Sequence, residues 1–139
     1  MIHKFNNKTK GAMKEKYKLE FLLKTSPRVL EKLISTPDGL ADWFADDVRV
    51  NDDLYTFEWD GNEEIARLVQ LKLNSKIRFQ WLDDEQQGLD TYFELAYVVD
   101  PMTNSVILHI TDFASAADTE SSQALWHQAI SDLKRIIGA

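Results

Sequence analysis

The sequence predicts an α+β fold: a curved antiparallel sheet of about six or seven strands wrapped on one long C-terminal helix, with two short helices after the first strand. Three observations carry this. From Asp118 to Ala139, apolar residues recur at steps of three and four. Most of the chain before that alternates apolar with polar residues, the period of a half-buried strand. Tight turns such as Asp60-Gly61 and Asn74-Ser75 join the strand-like runs, and links that short imply antiparallel neighbours.

The elements follow in order. Tyr17, Leu19, Phe21 and Leu23 share one face of a first strand. Ser26-Pro27 opens a helix, with serine as cap and proline in the first turn, and Val29, Leu30, Leu33 and Ile34 form its apolar stripe. Thr36-Pro37-Asp38-Gly39 breaks it, and Leu40, Trp43 and Phe44 form one further helical turn. Val48 and Val50 mark a short strand, and Leu54 to Trp59 another. Asp60-Gly61 is a strong hairpin signal because both positions tolerate positive φ. Ile65 to Leu73 alternates imperfectly, which predicts a bulge or burial on both faces. Ile77, Phe79 and Trp81 share a face, Asp83 to Gly88 reads as an acidic loop, and Phe93, Leu95, Tyr97 and Val99 share a face. Val106, Leu108 and Ile110 complete the sheet. In the final helix Leu125, Trp126, Ala129, Ile130, Leu133, Ile136 and Ile137 form the stripe. Asp118 or Thr119 is its expected cap, Lys134 and Arg135 favour its negative end, and Gly138 supplies its left-handed stop.

Composition narrows the function. A chain of 139 residues suggests one domain with a sizeable core. With no cysteine there is no disulfide, thiol nucleophile or thiolate metal site, which fits a cytoplasmic protein. No stretch suits a membrane span. The net charge is −7, yet residues 1–24 hold seven lysines against Glu15 and Glu20. The remainder is strongly acidic, which argues against nucleic acid. Residues 1–12 lack an apolar period and are expected to be a flexible basic tail ahead of a domain at 13–139.

The segment Ser26 to Phe44 resembles the start of START-like (SRPBCC) domains of the type named for activators of the heat-shock ATPase. Thr36-Pro37-Asp38-Gly39-Leu40 and Trp43-Phe44 match that family's turn after a short helix. Phe79-x-Trp81, Phe93-Glu94-Leu95 and a closing helix from Trp126 to Leu133-Lys134 are similar too, so the resemblance runs over about residues 14–138. It looks closest to small bacterial stand-alone members. Asp112-Phe113-Ala114 and Ala124-Leu125-Trp126 depart from the pattern of many relatives. The resemblance implies a helix-grip fold, with a cavity between sheet and helix that in relatives takes lipids, polyketides or other apolar molecules. Relatives include binding proteins, cyclases and co-chaperone modules.

The residues name no chemistry. His3, His109 and His127 have no metal-ligand spacing, and the clustered carboxylates sit at turns, where solvation explains them. No catalytic residue, metal or cofactor is expected. The informative set is the inward rings. Trp59 or Phe57, with Phe79, Trp81, Phe93, Tyr97 and Trp126, converge under the helix with Ile130 and Leu133, either as a filled core or as an apolar pocket. In the pocket reading Tyr97 is a polar anchor, and Arg67 a second if its side chain points inward. The expected function is non-catalytic binding of a hydrophobic small molecule. The alternatives are a co-chaperone-like interaction module and a cyclase-like enzyme. Tyr92, Val98 and Ile107 on the outer sheet face suggest a homodimer or a protein partner.

Overall fold

The computed structural model describes residues 13–138, so the expected basic tail at 1–12 lies outside the described residues. The elements run β1 (Lys14–Leu23), α1 (Pro27–Ser35), α2 (Pro37–Trp43), β2 (Asp47–Asn51), β3 (Leu54–Trp59), β4 (Asn62–Lys72), β5 (Lys76–Trp81), α3 (Leu82–Gln86), β6 (Phe93–Val99), β7 (Val106–Ser115) and α4 (Thr119–Ile137). The seven strands form one antiparallel sheet in the order β1-β7-β6-β5-β4-β3-β2. The chain meanders from β2 to β7, and β1 pairs with β7.

The local chemistry explains the elements. The Ser26 hydroxyl accepts from the Val29 amide, and Pro27 takes the first turn of α1. Thr36 both ends α1 and starts α2. Its hydroxyl donates to the Lys32 carbonyl at 2.7 Å and accepts from the Gly39 amide at 2.9 Å. Gly39 is there because α1 and α2 touch: a Cβ would sit 2.0 Å from the Lys32 carbonyl oxygen and 2.7 Å from the Leu33 Cα. Asp60 and Gly61 both take positive φ, 50° and 81°, as the β3–β4 hairpin requires. The imperfect alternation of β4 is a bulge, a register shift between Leu68 and Gln70.

Three expectations are corrected. Residues 82–86 are a short helix rather than an acidic loop. Asp83, Asp84 and Glu85 fall in its first turn, where negative charge faces the positive helix end. At the start of α4, neither Asp118 nor Thr119 caps the backbone with its side chain. Asp118 accepts from the Ser115 hydroxyl and Thr119 donates to the Ser115 carbonyl, so both tie the helix start back to β7. Ile136 leaves the stripe and is 46% exposed at the α2–α4 concavity, while Ile137 beside it packs against the core. Gly138 ends α4 at φ 72°, in the left-handed region.

The core lies between the concave sheet face and α4. The helix starts over β1 and β7, where Phe21 meets the edge of His127 at 5.2 Å, and runs toward α2. Trp126, Ile130 and Leu133 face the sheet and are fully buried, while α1 and α2 close one end with Leu30, Leu33, Ile34 and Leu40. None of the helices among the described residues is long and apolar enough to cross a membrane.

Candidate functional site

Strand phase places the rings. Tyr55, Phe57 and Trp59 alternate inward on β3, Phe79 and Trp81 on β5, and Phe93 on β6. Phe44, the residue after α2, sits at their centre. Its ring lies 5.2 Å from Phe57, 5.4 Å from Trp59, 5.7 Å from Phe93 and 5.6 Å from Trp126. Trp81 reaches Phe93 at 4.9 Å, and Phe79 stacks on Phe93 at 5.1 Å. These spacings are those of aromatic pairs in contact. Of the residues singled out in the sequence, Trp59, Phe79, Trp81, Phe93 and Trp126 therefore meet in one ring cluster, and Ile130 and Leu133 join the same buried core.

Tyr97 and Arg67 stand elsewhere. Tyr97 is buried toward α1, and its hydroxyl donates to Glu31 Oε1 at 2.8 Å, an oxygen that also accepts from the Asn74 amide. Burial first, and then the Glu31 carboxylate, push the Tyr97 hydroxyl up to about 12. Arg67 points away from the rings, since Glu64 and Ala66 take the inward positions of β4. Its guanidinium lies between Asp53, at 3.0 Å, and Glu85, at 2.7 Å, and those carboxylates raise its pKa further.

Two features of the interior escaped the sequence reading. The first is Phe44 as hub; the Trp43-Phe44 pair signalled packing but not its place. The second is Asp112 on β7, buried at the sheet–helix seam. Its Oδ2 accepts from Trp126 Nε1 at 2.8 Å and from the Tyr17 hydroxyl at 3.3 Å, and its Oδ1 from the Phe113 amide at 2.7 Å. Tyr17 also shares a short hydrogen bond with Ser122 of α4. Desolvation raises the Asp112 carboxyl to about 7 against the pull of these donors. The pattern Asp112-x13-Trp126 carries no motif that would have marked it.

The indole nitrogens show where the interior is incomplete. Trp43 Nε1 donates to the Leu33 carbonyl, Trp59 Nε1 to the Phe44 carbonyl and Trp126 Nε1 to Asp112, each at 2.8 Å. Trp81 is 4% exposed, and its Nε1 is buried without an acceptor. Leaving such a donor unpaired costs about 1–3 kcal/mol. Beside the cluster, a concavity of about 420 Å³ opens at the seam of α2 and α4. Trp43, Phe44 and Trp59 line it, with Asp42, Asp46, Asp132 and Arg135 among its polar groups.

Comparison with known proteins follows the fold. Residues 11–139 match the START-like superfamily domain. BfR322 from Bacteroides fragilis, solved in solution, is 39% identical, with 88% of this chain and 90% of that one covered and a TM-score of 0.62. The Aha1 dimer from Colwellia psychrerythraea is 15% identical over 88% of this chain and 96% of that one, with a TM-score of 0.73. XoxI from Bacillus cereus is 12% identical over 88% and 94%, with a TM-score of 0.71. The last two share the fold. No curated protein matches the chain.

Proposed function

Because the chain belongs to the START-like superfamily, we propose that it is a non-catalytic binding protein for an apolar small molecule that carries one hydrogen-bond acceptor. The observation that supports this most is the buried, unpartnered Nε1 of Trp81 in a wall of rings. Apolar sites commonly combine many rings with a few polar groups that fix orientation. A carbonyl or ether oxygen on a lipid- or polyketide-like ligand would satisfy the indole that the protein leaves unpaired. The ring contacts fill the interior in this state, so uptake requires the α2–α4 seam to part, with Phe44 and Trp59 as the rings that give way. A cytoplasmic setting belongs to the same reading.

Two probes test it: an acylnaphthalene dye and the alkylnaphthalene analogue that lacks the carbonyl. Trp81→Phe keeps a ring and removes the N–H. It should weaken the acyl probe about 5- to 10-fold, the worth of one hydrogen bond, and leave the alkyl probe unchanged. Absence of saturable binding of either probe to the wild type rejects the pocket.

A second reading, a co-chaperone-like interaction module, is favoured by the closeness of the ring packing and by exposed apolar residues on the outer face. Leu22, Ile107 and Val98 stand side by side on β1, β7 and β6, with Leu22 and Val98 about half exposed. Tyr92 is not part of that group, since Arg78 lies 3.9 Å over its ring and Phe113 meets its edge.

A further inference from the structure

The two edges of the sheet are unlike. β2 is five residues long, and Arg49 at its middle is held by Asp47, Glu58 and Glu63. A short edge whose central charge is already neutralised within the chain offers a second strand little to pair with. β1 is ten residues long, contains no proline or glycine, and follows β7 through ten consecutive partners without a bulge. No described strand lies on its other side. Its inward side chains Tyr17, Leu19 and Phe21 are only half-buried, whereas Ile77, Phe79 and Trp81 of β5, Phe93, Leu95 and Tyr97 of β6, and Val106, Leu108 and Ile110 of β7 are almost completely covered. The core is therefore incompletely covered along β1.

We infer that β1 is a homodimer edge, pairing antiparallel with β1 of a second copy about a two-fold axis at Leu19. The side-chain pattern selects both the partner and the register. A two-fold axis normal to the sheet pairs residues of the same face, so only registers centred on a residue are allowed. Centred on Leu19, each Lys18 lies opposite the Glu20 of the other copy, twice. Tyr17 faces Phe21, Leu19 faces Leu19, and Lys16 lays its stem along the exposed Leu22. Centring on Lys18 or Glu20 sets that residue against its own copy, centring on Tyr17 sets Lys16 against Lys18, and centring on Phe21 sets Lys18 against Lys24 and Glu20 against Leu22. Lys14 takes no part, because its ammonium is buried on Asp84. The result is a continuous sheet through both copies, with the half-buried flank of each core closed by the other. It is independent of whether the ring cluster binds a ligand.

Charge reversal with complementation tests both pairing and register. Lys18 and Glu20 are exposed, so their replacement leaves the fold intact, as a thermal melt of each variant will show. Sedimentation velocity of the wild type should show a dimer. Lys18→Glu and Glu20→Lys each replace two opposite-charge pairs by two like-charge pairs, and each should weaken the dimer about 10- to 30-fold. Mixing the two variants should restore a heterodimer, and the doubly reversed chain should dimerise as the wild type does. A monomeric wild type, or a dimer that both single variants leave intact, overturns the proposal. Two monomeric variants that fail to associate when mixed overturn the register.

Discussion

Replacing Asp112 by asparagine should flatten the pH dependence of stability between about pH 4 and pH 7. In the folded chain the carboxyl holds its proton up to about 7, because burial penalises the charge more than its donors reward it. In the unfolded chain it ionises near the ordinary value of 3.8. Between these limits the folded state binds more protons than the unfolded state, so stability falls as pH rises. Below about pH 4 both states are protonated and the contribution is full. Above about 7 both are ionised and it is lost. A difference of about three pH units corresponds to at most about 4 kcal/mol. The geometry accommodates both forms. Trp126 Nε1 and the Phe113 amide remain donors throughout, while the Tyr17–Ser122 pair can turn so that Tyr17 accepts the carboxyl proton. Urea unfolding from pH 4 to pH 8, followed by tryptophan fluorescence, measures it. The difference between wild type and the Asp112→Asn variant isolates this group from the other carboxylates. A difference that stays constant across the range, or that grows in the wild type's favour as pH rises, refutes the argument.

Three further outcomes follow from contacts already described. Gly39→Ala should destabilise by several kcal/mol and lower the melting temperature sharply, because the new methyl meets backbone rather than a movable side chain. Lys14→Met should cost roughly 3–5 kcal/mol in chemical unfolding, since Asp84 keeps the Thr91 hydroxyl but loses its buried counter-charge. Tyr97→Phe should cost about 1–2 kcal/mol, the loss of the bond to Glu31, whereas Tyr97→Ala should cost roughly 3 kcal/mol or more by opening a void. A Tyr97→Ala loss no larger than that of Tyr97→Phe would show that the ring borders free space.

The alternating runs of Tyr17 to Leu23, Ile77 to Trp81, Phe93 to Tyr97 and Val106 to Ile110 appear as inward faces in the structure, because a period of two leaves each strand one way to bury its apolar side. The spacing from Trp126 to Leu133 placed the covering helix for the same reason. The phase of Arg67 was illegible because the bulge after Leu68 breaks the alternation on which phase depends. The short helix after Trp81 has no apolar stripe to mark it in the sequence, and acidic residues fill its first turn. Asp112 lay hidden for a different cause. Its environment is assembled from β1, β7 and α4, and no local pattern reports a meeting of three distant segments. The same holds for Trp81: periodicity showed that it faces inward, but an indole left without an acceptor is visible only once every neighbour is in place.

The pairing of β1 with β7 also sets a timetable for the chain's birth. Lys14 finds its ladder partner at Ser115, about a hundred residues later. At ribosomal rates of roughly 5–20 residues per second, β1 waits on the order of ten seconds before β7 exists. During that interval the meander of β2 to β6 can assemble from neighbouring segments, whereas β1 has no native strand to join. Closure of a loop this long makes the step slow relative to hairpin formation. The nascent chain thus carries Tyr17, Leu19, Phe21 and Leu23 uncovered until almost the whole sheet has been translated.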